Sequence, residues 1–223
     1  HTPDALEKKI CQQLKIKKEE LSSWKIVRRS LDARKKPDLK FVYVVDVDTP
    51  KERKILHRMQ KVNDKNIMLT NRKKYQFPKA EVSQKETKYR PVIIGAGPAG
   101  LFCAYELTKA GYAPILLERG KRVEERTEDV KRFWESGVLD TGSNVQFGEG
   151  GAGTFSDGKL NTLVKDRFGR SRHVLETFVE FGADAAILYD AKPHIGTDVL
   201  SQVIANMRAY LLEHGAEIRF STQ

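Results

Sequence analysis

Apolar positions along this chain change their period several times, and each change marks an element. Leu6, Ile10 and Leu14 recur every four residues, which predicts an amphipathic helix over Asp4 to Leu14. "WKIVRRSLDA" and "LKFVYVVDVD" then alternate and are rich in β-branched residues, so they read as two strands. Pro37 and Asp38, in the "RKKPD" between them, suit a hairpin turn. Helical spacing returns in "TPKERKILHRMQKV", with Thr49 as N-cap, Pro50 at the first helical position and Ile55, Leu56, Met59 and Val62 as the apolar face. "NIMLT" is expected to close the series as a short strand, giving the order αββαβ. A ferredoxin-like βαββαβ domain has this order once its first strand is removed, so that strand is expected upstream of His1.

The polar stretch "KAEVSQKETKYR", Lys79 to Arg90, has little periodicity and leads into Pro91. The expected division is a small basic α+β domain over residues 1–82, a linker over 83–90 and a larger α/β unit over 91–223. In the larger unit "PVIIGAGPAGLFCAYELTKAGYAPILLERG" sets out a strand at Val92 to Ile94, glycines 95, 97 and 100 at GxGxxG spacing, and a helix from about Pro98 to Ala110. Gly111 stops that helix, and a second strand ends at Glu118. A charged helix follows in "KRVEERTEDVKRFWESG". Later come a helix in "SRHVLETFVEFGA", capped by Ser171 and ended by Gly182, and another capped by Thr197 with Asp198 in its first turn. The latter stops near Gly215 and gives way to a last strand. The fold class is therefore α/β, Rossmann-like.

The glycine spacing carries chemistry. Gly95 permits a tight turn off the strand, Gly97 lets the backbone approach a pyrophosphate, and Gly100 lets helix and strand pack closely, while the helix N-terminus offers amides and a dipole to the phosphates. Glu118 falls where a carboxylate accepts from ribose hydroxyls, and an acid there disfavours a 2′-phosphate. The nucleotide expected from this spacing is FAD or NAD. A second glycine-rich run, "GEGGAGTFSDGK", spans Gly148 to Lys159. It suits an anion nest or a flat backbone wall, and its flanking Phe147, Phe155 and Leu160 argue against a flexible linker.

Composition narrows the setting. With 39% hydrophobic and 31% charged residues, no apolar run long enough for a membrane span and no signal-peptide core, a cytoplasmic protein is expected. Cys11 and Cys103 are far apart, so two reduced thiols and no metal site are expected, with Cys103 a small core residue of its helix. Residues 1–90 carry 25 Lys+Arg against 12 Asp+Glu, a net +13, whereas residues 91–223 carry 15 against 18, a net −3. Arg28, Arg29, Arg34, Lys35 and Lys36 concentrate that charge on one strand and its turn, where they could hold RNA or another polyanion. A solvated hairpin carries more weight, because exposed aromatics at the right alternation are not evident. His173, in the first turn of a helix, reads as structural. His194, three residues before a cap, stays open between a general acid and a hydrogen-bonder in a turn.

Four stretches together, "GAGPAGLFCAYEL", "LLERGKRVEERTEDV", "FGEGGAGTFSDGKLNT" and "KPHIGTDVL", resemble the uncharacterised bacterial family of predicted FAD-dependent dehydrogenases within the wider glutathione-reductase-like, two-dinucleotide-binding FAD superfamily. The basic "RRSLDARKKPDLKFVYVVDVD" resembles the small N-terminal domain of that family, and the resemblance covers nearly the whole chain. It implies non-covalent FAD, held at the pyrophosphate by Gly95, Gly97, Pro98, Ala99 and Gly100 and at the adenosine end by Glu118 and Arg119. It also implies that the second loop, with Gly148, Gly150, Gly151, Gly153, Thr154, Ser156, Asp157 and Lys159, runs past the ribityl chain toward the isoalloxazine. Lys159 is open between stabilising charge at the reduced flavin N1 and a plain surface salt bridge. The superfamily's late Gly-Asp strand and substrate sheet are missing, so the FAD domain is expected to be incomplete at its C-terminus, the front part of a longer chain. The resemblance thus implies a flavin oxidoreductase acting on a small molecule, with catalytic candidates Lys159 and His194 and with NAD(H) or NADP(H) open as co-substrate. A flavin protein that binds or modifies RNA, and an NAD module without flavin, are the alternatives.

Overall fold

The computed structural model describes residues 2–78, 88–160, 162 and 164–223. They gather in two units, His1–Lys73 with Leu188–Ala191, and Lys74–Ile187 with Lys192–Gln223. Of the expected linker at 83–90, only Lys88 to Arg90 are among the described residues.

The first unit contains α1 (Pro3–Leu14), β1 (Ser23–Asp32), β2 (Lys40–Asp48) and α2 (Glu52–Lys61). Ile10, Leu14, Ile55 and Met59, the inward faces of the two helices, form its core, and Trp24, Val45 and Val47 of the strands pack on it. β1 and β2 are antiparallel, with Ser23 opposite Asp48 and Asp32 opposite Lys40. The turn end of this ribbon is open, and Leu31, Leu39, Phe41, Val42 and Val44 are each about half exposed. Phe41 is thus an exposed aromatic that the alternation did not reveal, with the Arg29 guanidinium 5.6 Å from its ring centre.

Two further expectations fail here. α2 starts at Glu52, not after Thr49, because the Thr49 hydroxyl donates to the Glu20 carbonyl at 2.7 Å and reaches only the Lys51 amide, at 3.2 Å. "NIMLT" forms no strand: Ile67 packs on the core while Met68 and Leu69 are exposed. The open side of β1 has another partner. The Arg29 amide donates to the Tyr189 carbonyl at 2.6 Å and the Ala191 amide to the Arg29 carbonyl at 2.9 Å, while the Arg29 side chain grips Asp190 through two bonds of 2.7 and 2.9 Å. The described residues therefore hold a two-stranded ribbon with two helices, not a ferredoxin-like sheet.

The second unit is mixed α/β. Its elements are β3 (Val92–Ile94), α3 (Pro98–Lys109), β4 (Ile115–Leu117), α4 (Val123–Ser136), α5 (Arg170–Glu180), α6 (Thr197–Glu213) and β5 (Glu217–Arg219). The strands are parallel in the order β3-β4-β5, with Val92 beside Ile115 and Ile115 beside Glu217. Leu101, Ala104 and Tyr105 of α3, Leu116 of β4, and Val203, Met207 and Leu211 of α6 are buried. Cys103 lies off that stripe of α3 and is exposed, not a core residue. Ser171 and Thr197 sit inside their helices, and glycines 169 and 196 occupy the caps. For α5 the capping acceptor is Asp166, which takes the Arg170 amide at 2.7 Å and the Arg172 amide at 3.2 Å.

Candidate functional site

The turn after β3 has the geometry its glycines predict. Gly95 has φ +93°, and a Cβ on Gly100 would stand 1.8 Å from the Gly95 carbonyl oxygen, so α3 can begin this close to β3 only without a side chain there. Pro98 and Ala99 open α3, whose first amides lack intrahelical partners and so can face an anion. At the end of β4, Glu118 is buried, accepting from the Ala96 amide and the Gly120 amide at 2.7 Å each. Each carboxylate oxygen keeps lone-pair capacity for a hydroxyl donor. The Arg119 guanidinium lies 3.9 Å from the centre of the Phe147 ring. Gly95, Gly97, Glu118 and Arg119 from this half, with Gly148 and Gly151 from the second loop, line a single cleft of about 470 Å³.

The second loop is joined to the first turn. The Gly150 amide donates to the Ala96 carbonyl at 2.8 Å. A Cβ on Gly151 would lie 3.0 Å from the Pro98 ring and 3.4 Å from the Gly97 Cα. Behind the loop stands Arg126 of α4, fully buried. It donates to the carbonyls of Asn144 at 2.8 Å, Val145 at 2.7 Å, Glu149 at 2.8 Å and Gly151 at 2.8 Å, with the Phe155 ring 4.7 Å away. Burial lowers its pKa to about 10, which still leaves a cation at neutral pH. Glu149, also fully buried, accepts from the Val123 amide at the start of α4 and from Arg208 of α6. Its burial raises the carboxyl above the ordinary range, against the opposing pull of the Val123 amide and Arg208.

The far end of the loop is laid out differently. Thr154 is buried, and Gly150 stands close to its hydroxyl, whereas Gly153 and Ser156 are exposed. Lys159 reaches Asp157 at 2.7 Å, both side chains nearly two-thirds exposed, and this hydrogen bond lowers the Asp157 carboxyl. A backbone bridge pairs Lys159 with His194, and the Ile195 amide donates to the Gly158 carbonyl at 2.9 Å. The two catalytic candidates are thus neighbours. His173 contacts Glu106 of α3 and lies 4.9 Å from the Tyr75 ring, a structural setting.

Sequence pattern alone did not mark Arg126, Glu149 or Arg208 as site residues, and it gave Phe147 only as a flank of the loop. One signal was available for Arg126, since it falls three residues after Val123 and four before Val130, on the inward stripe of an otherwise charged helix. Among the described residues no group of three His, Cys, Asp or Glu could hold a metal ion, and no helix is long and apolar enough to cross a membrane.

A parallel βαβ unit with a glycine turn, and an acid ending its second strand, defines a dinucleotide-binding, Rossmann-like domain. Residues 93–152 match the NAD(P)-binding Rossmann-like domain family, a span that takes in the first turn and the start of the second loop. Residues 1–48 match a domain of unknown function, DUF8436. An uncharacterized protein of Clostridium beijerinckii is 45% identical over 220 residues, which are 99% of this chain and 40% of that relative. The chain spans about two fifths of the relative's length.

Proposed function

We propose that this chain is the nucleotide-binding part of a cytoplasmic FAD-dependent oxidoreductase that acts on a small molecule. The observation that carries the reading is the direct join between the two glycine segments, through Gly150 on Ala96 and Gly151 against Gly97, which gives one cleft a second backbone wall. A flavin nucleotide would use both walls, the first turn at its pyrophosphate and the second loop along the chain that leads to its ring. In this reading Gly97, Ala99 and Gly100 hold the pyrophosphate at the start of α3. Glu118 takes the adenosine ribose and excludes a 2′-phosphate, and Arg119, stacked on Phe147, borders the base. Bound flavin would supply two-electron chemistry. Lys159 and His194, side by side at the far end of the loop, are the groups available to hold charge or move a proton there.

Spectroscopy of the purified protein, with titration by FAD, NAD and NADP, tests the reading. A flavin absorption spectrum or FAD binding far tighter than NAD is expected; binding of NAD without FAD would overturn it in favour of a nicotinamide module. A second reading, a flavin protein that binds RNA, draws support from the net +13 of residues 1–90 and from the half-exposed Phe41. It requires RNA affinity that falls steeply with salt, and weak, salt-independent binding would remove it.

A further inference from the structure

Four carbonyls of one loop, those of Asn144, Val145, Glu149 and Gly151, converge on the single guanidinium of Arg126. Nε, Nη1 and Nη2 are all used, and the Phe155 ring stands beside the group. A trans peptide points its N–H opposite its C=O, so every carbonyl drawn onto Arg126 turns the following amide the other way. Gly150 shows the result. The carbonyl before it, that of Glu149, faces Arg126, while its own amide donates to Ala96 in the turn after β3. The loop backbone is clamped between α4 and the first glycine turn, and Gly148 and Gly151 become fixed cleft wall.

We propose that Arg126 is a positioning residue of the nucleotide site: it assembles the second wall before the ligand arrives, so that a glycine-rich segment need not be ordered on binding. The identity of the ligand rests on the flavin reading; the clamp does not. A lysine keeps the charge but has one nitrogen in place of a planar fork, so it cannot serve four carbonyls in the same way. Glu149 holds the same segment from the other side through Val123 and Arg208.

The test uses the full chain with Arg126→Lys and Arg126→Met. FAD affinity is measured by flavin fluorescence at a temperature where circular dichroism shows each protein folded, and hydrogen exchange is followed over residues 144–155 without ligand. Wild type is expected to bind FAD, with Arg126→Lys weaker by about tenfold and Arg126→Met weaker still, a factor that reflects lost pre-organisation. Loop amides, Gly150 among them, should exchange faster in both variants while those of α6 stay protected. FAD affinity within roughly twofold of wild type in the folded variants, or in Arg126→Lys alone if Arg126→Met does not fold, overturns the proposal. Unchanged loop protection overturns it as well. A wild type that takes up no FAD counts against the flavin reading only, and exchange over the loop then decides the clamp.

Discussion

At the scale of single residues, the site is governed by close approach and by buried charge. Gly100→Ala would drive a methyl group to 1.8 Å from a backbone oxygen that cannot yield, so a loss of about 1 to 3 kcal/mol in urea unfolding is expected, with wild-type stability as the contrary result. Glu118→Ala strands the amides of Ala96 and Gly120 and, on the proposed flavin reading, also removes the acceptor for the ribose. FAD affinity measured by titration should fall by about 1 to 3 kcal/mol, and an unchanged affinity would move the adenosine end elsewhere. These positions were legible because glycine spacing and a terminal acid are local patterns. Arg126 was not, since "VEERTEDVKRF" is dense in charge and such helices usually face water; only three-dimensional packing decides which of its cations turns inward. Cys103 was misread for the complementary reason, as residue type suggested burial while the stripe of Leu101, Ala104 and Tyr105 places it outside.

At the scale of elements, helices and parallel strands followed from periodicity, and their ends did not. Thr49, Ser171 and Thr197 look like caps in sequence, yet Thr49 is engaged by Glu20 and the other two lie a step inside helices opened by glycine. "NIMLT" has strand composition but forms no strand, with Ile67 turned onto the core of the first unit and Met68 and Leu69 exposed. The link from the second loop through Glu149 to α4 and α6 gives this level a pH signature. Burial sets the folded-state value of that carboxyl above its ordinary 4.5, so the folded form retains a proton that the unfolded form has released. Its contribution to stability is therefore full below 4.5 and is lost as pH rises through the higher value. In urea unfolding from acid to neutral pH, the stability of wild type relative to Glu149→Gln should fall as pH rises through that value, since the lowered carboxyls elsewhere cancel in the difference. Equal profiles would mean that Arg208 and Val123 keep the group ionised throughout.

At the scale of the whole molecule, charge and chain path divide differently. The +13 of residues 1–90 was visible at once, but which cations are free was not: Arg29 is tied to Asp190 and Arg34 to Asp32, leaving Arg28, Lys35 and Lys36 of the original cluster as the more available ones. Arg29→Met should then cost the first unit no more than about 1 kcal/mol, since both partners are about one-third exposed, and leave any salt-dependent RNA binding unchanged. A large drop in RNA affinity at low salt, in a folded variant, would return Arg29 to the polyanion surface. The pairing of Arg29 with Tyr189 and Ala191 spans some 160 residues, and it bears on the order of synthesis. A ribosome making this chain releases both helices and the ribbon of the first unit well before residues 188–191. The open side of β1 finds its partner only after the first glycine turn, the second loop and α5 have emerged, so the ribbon waits some 160 residues for these backbone bonds.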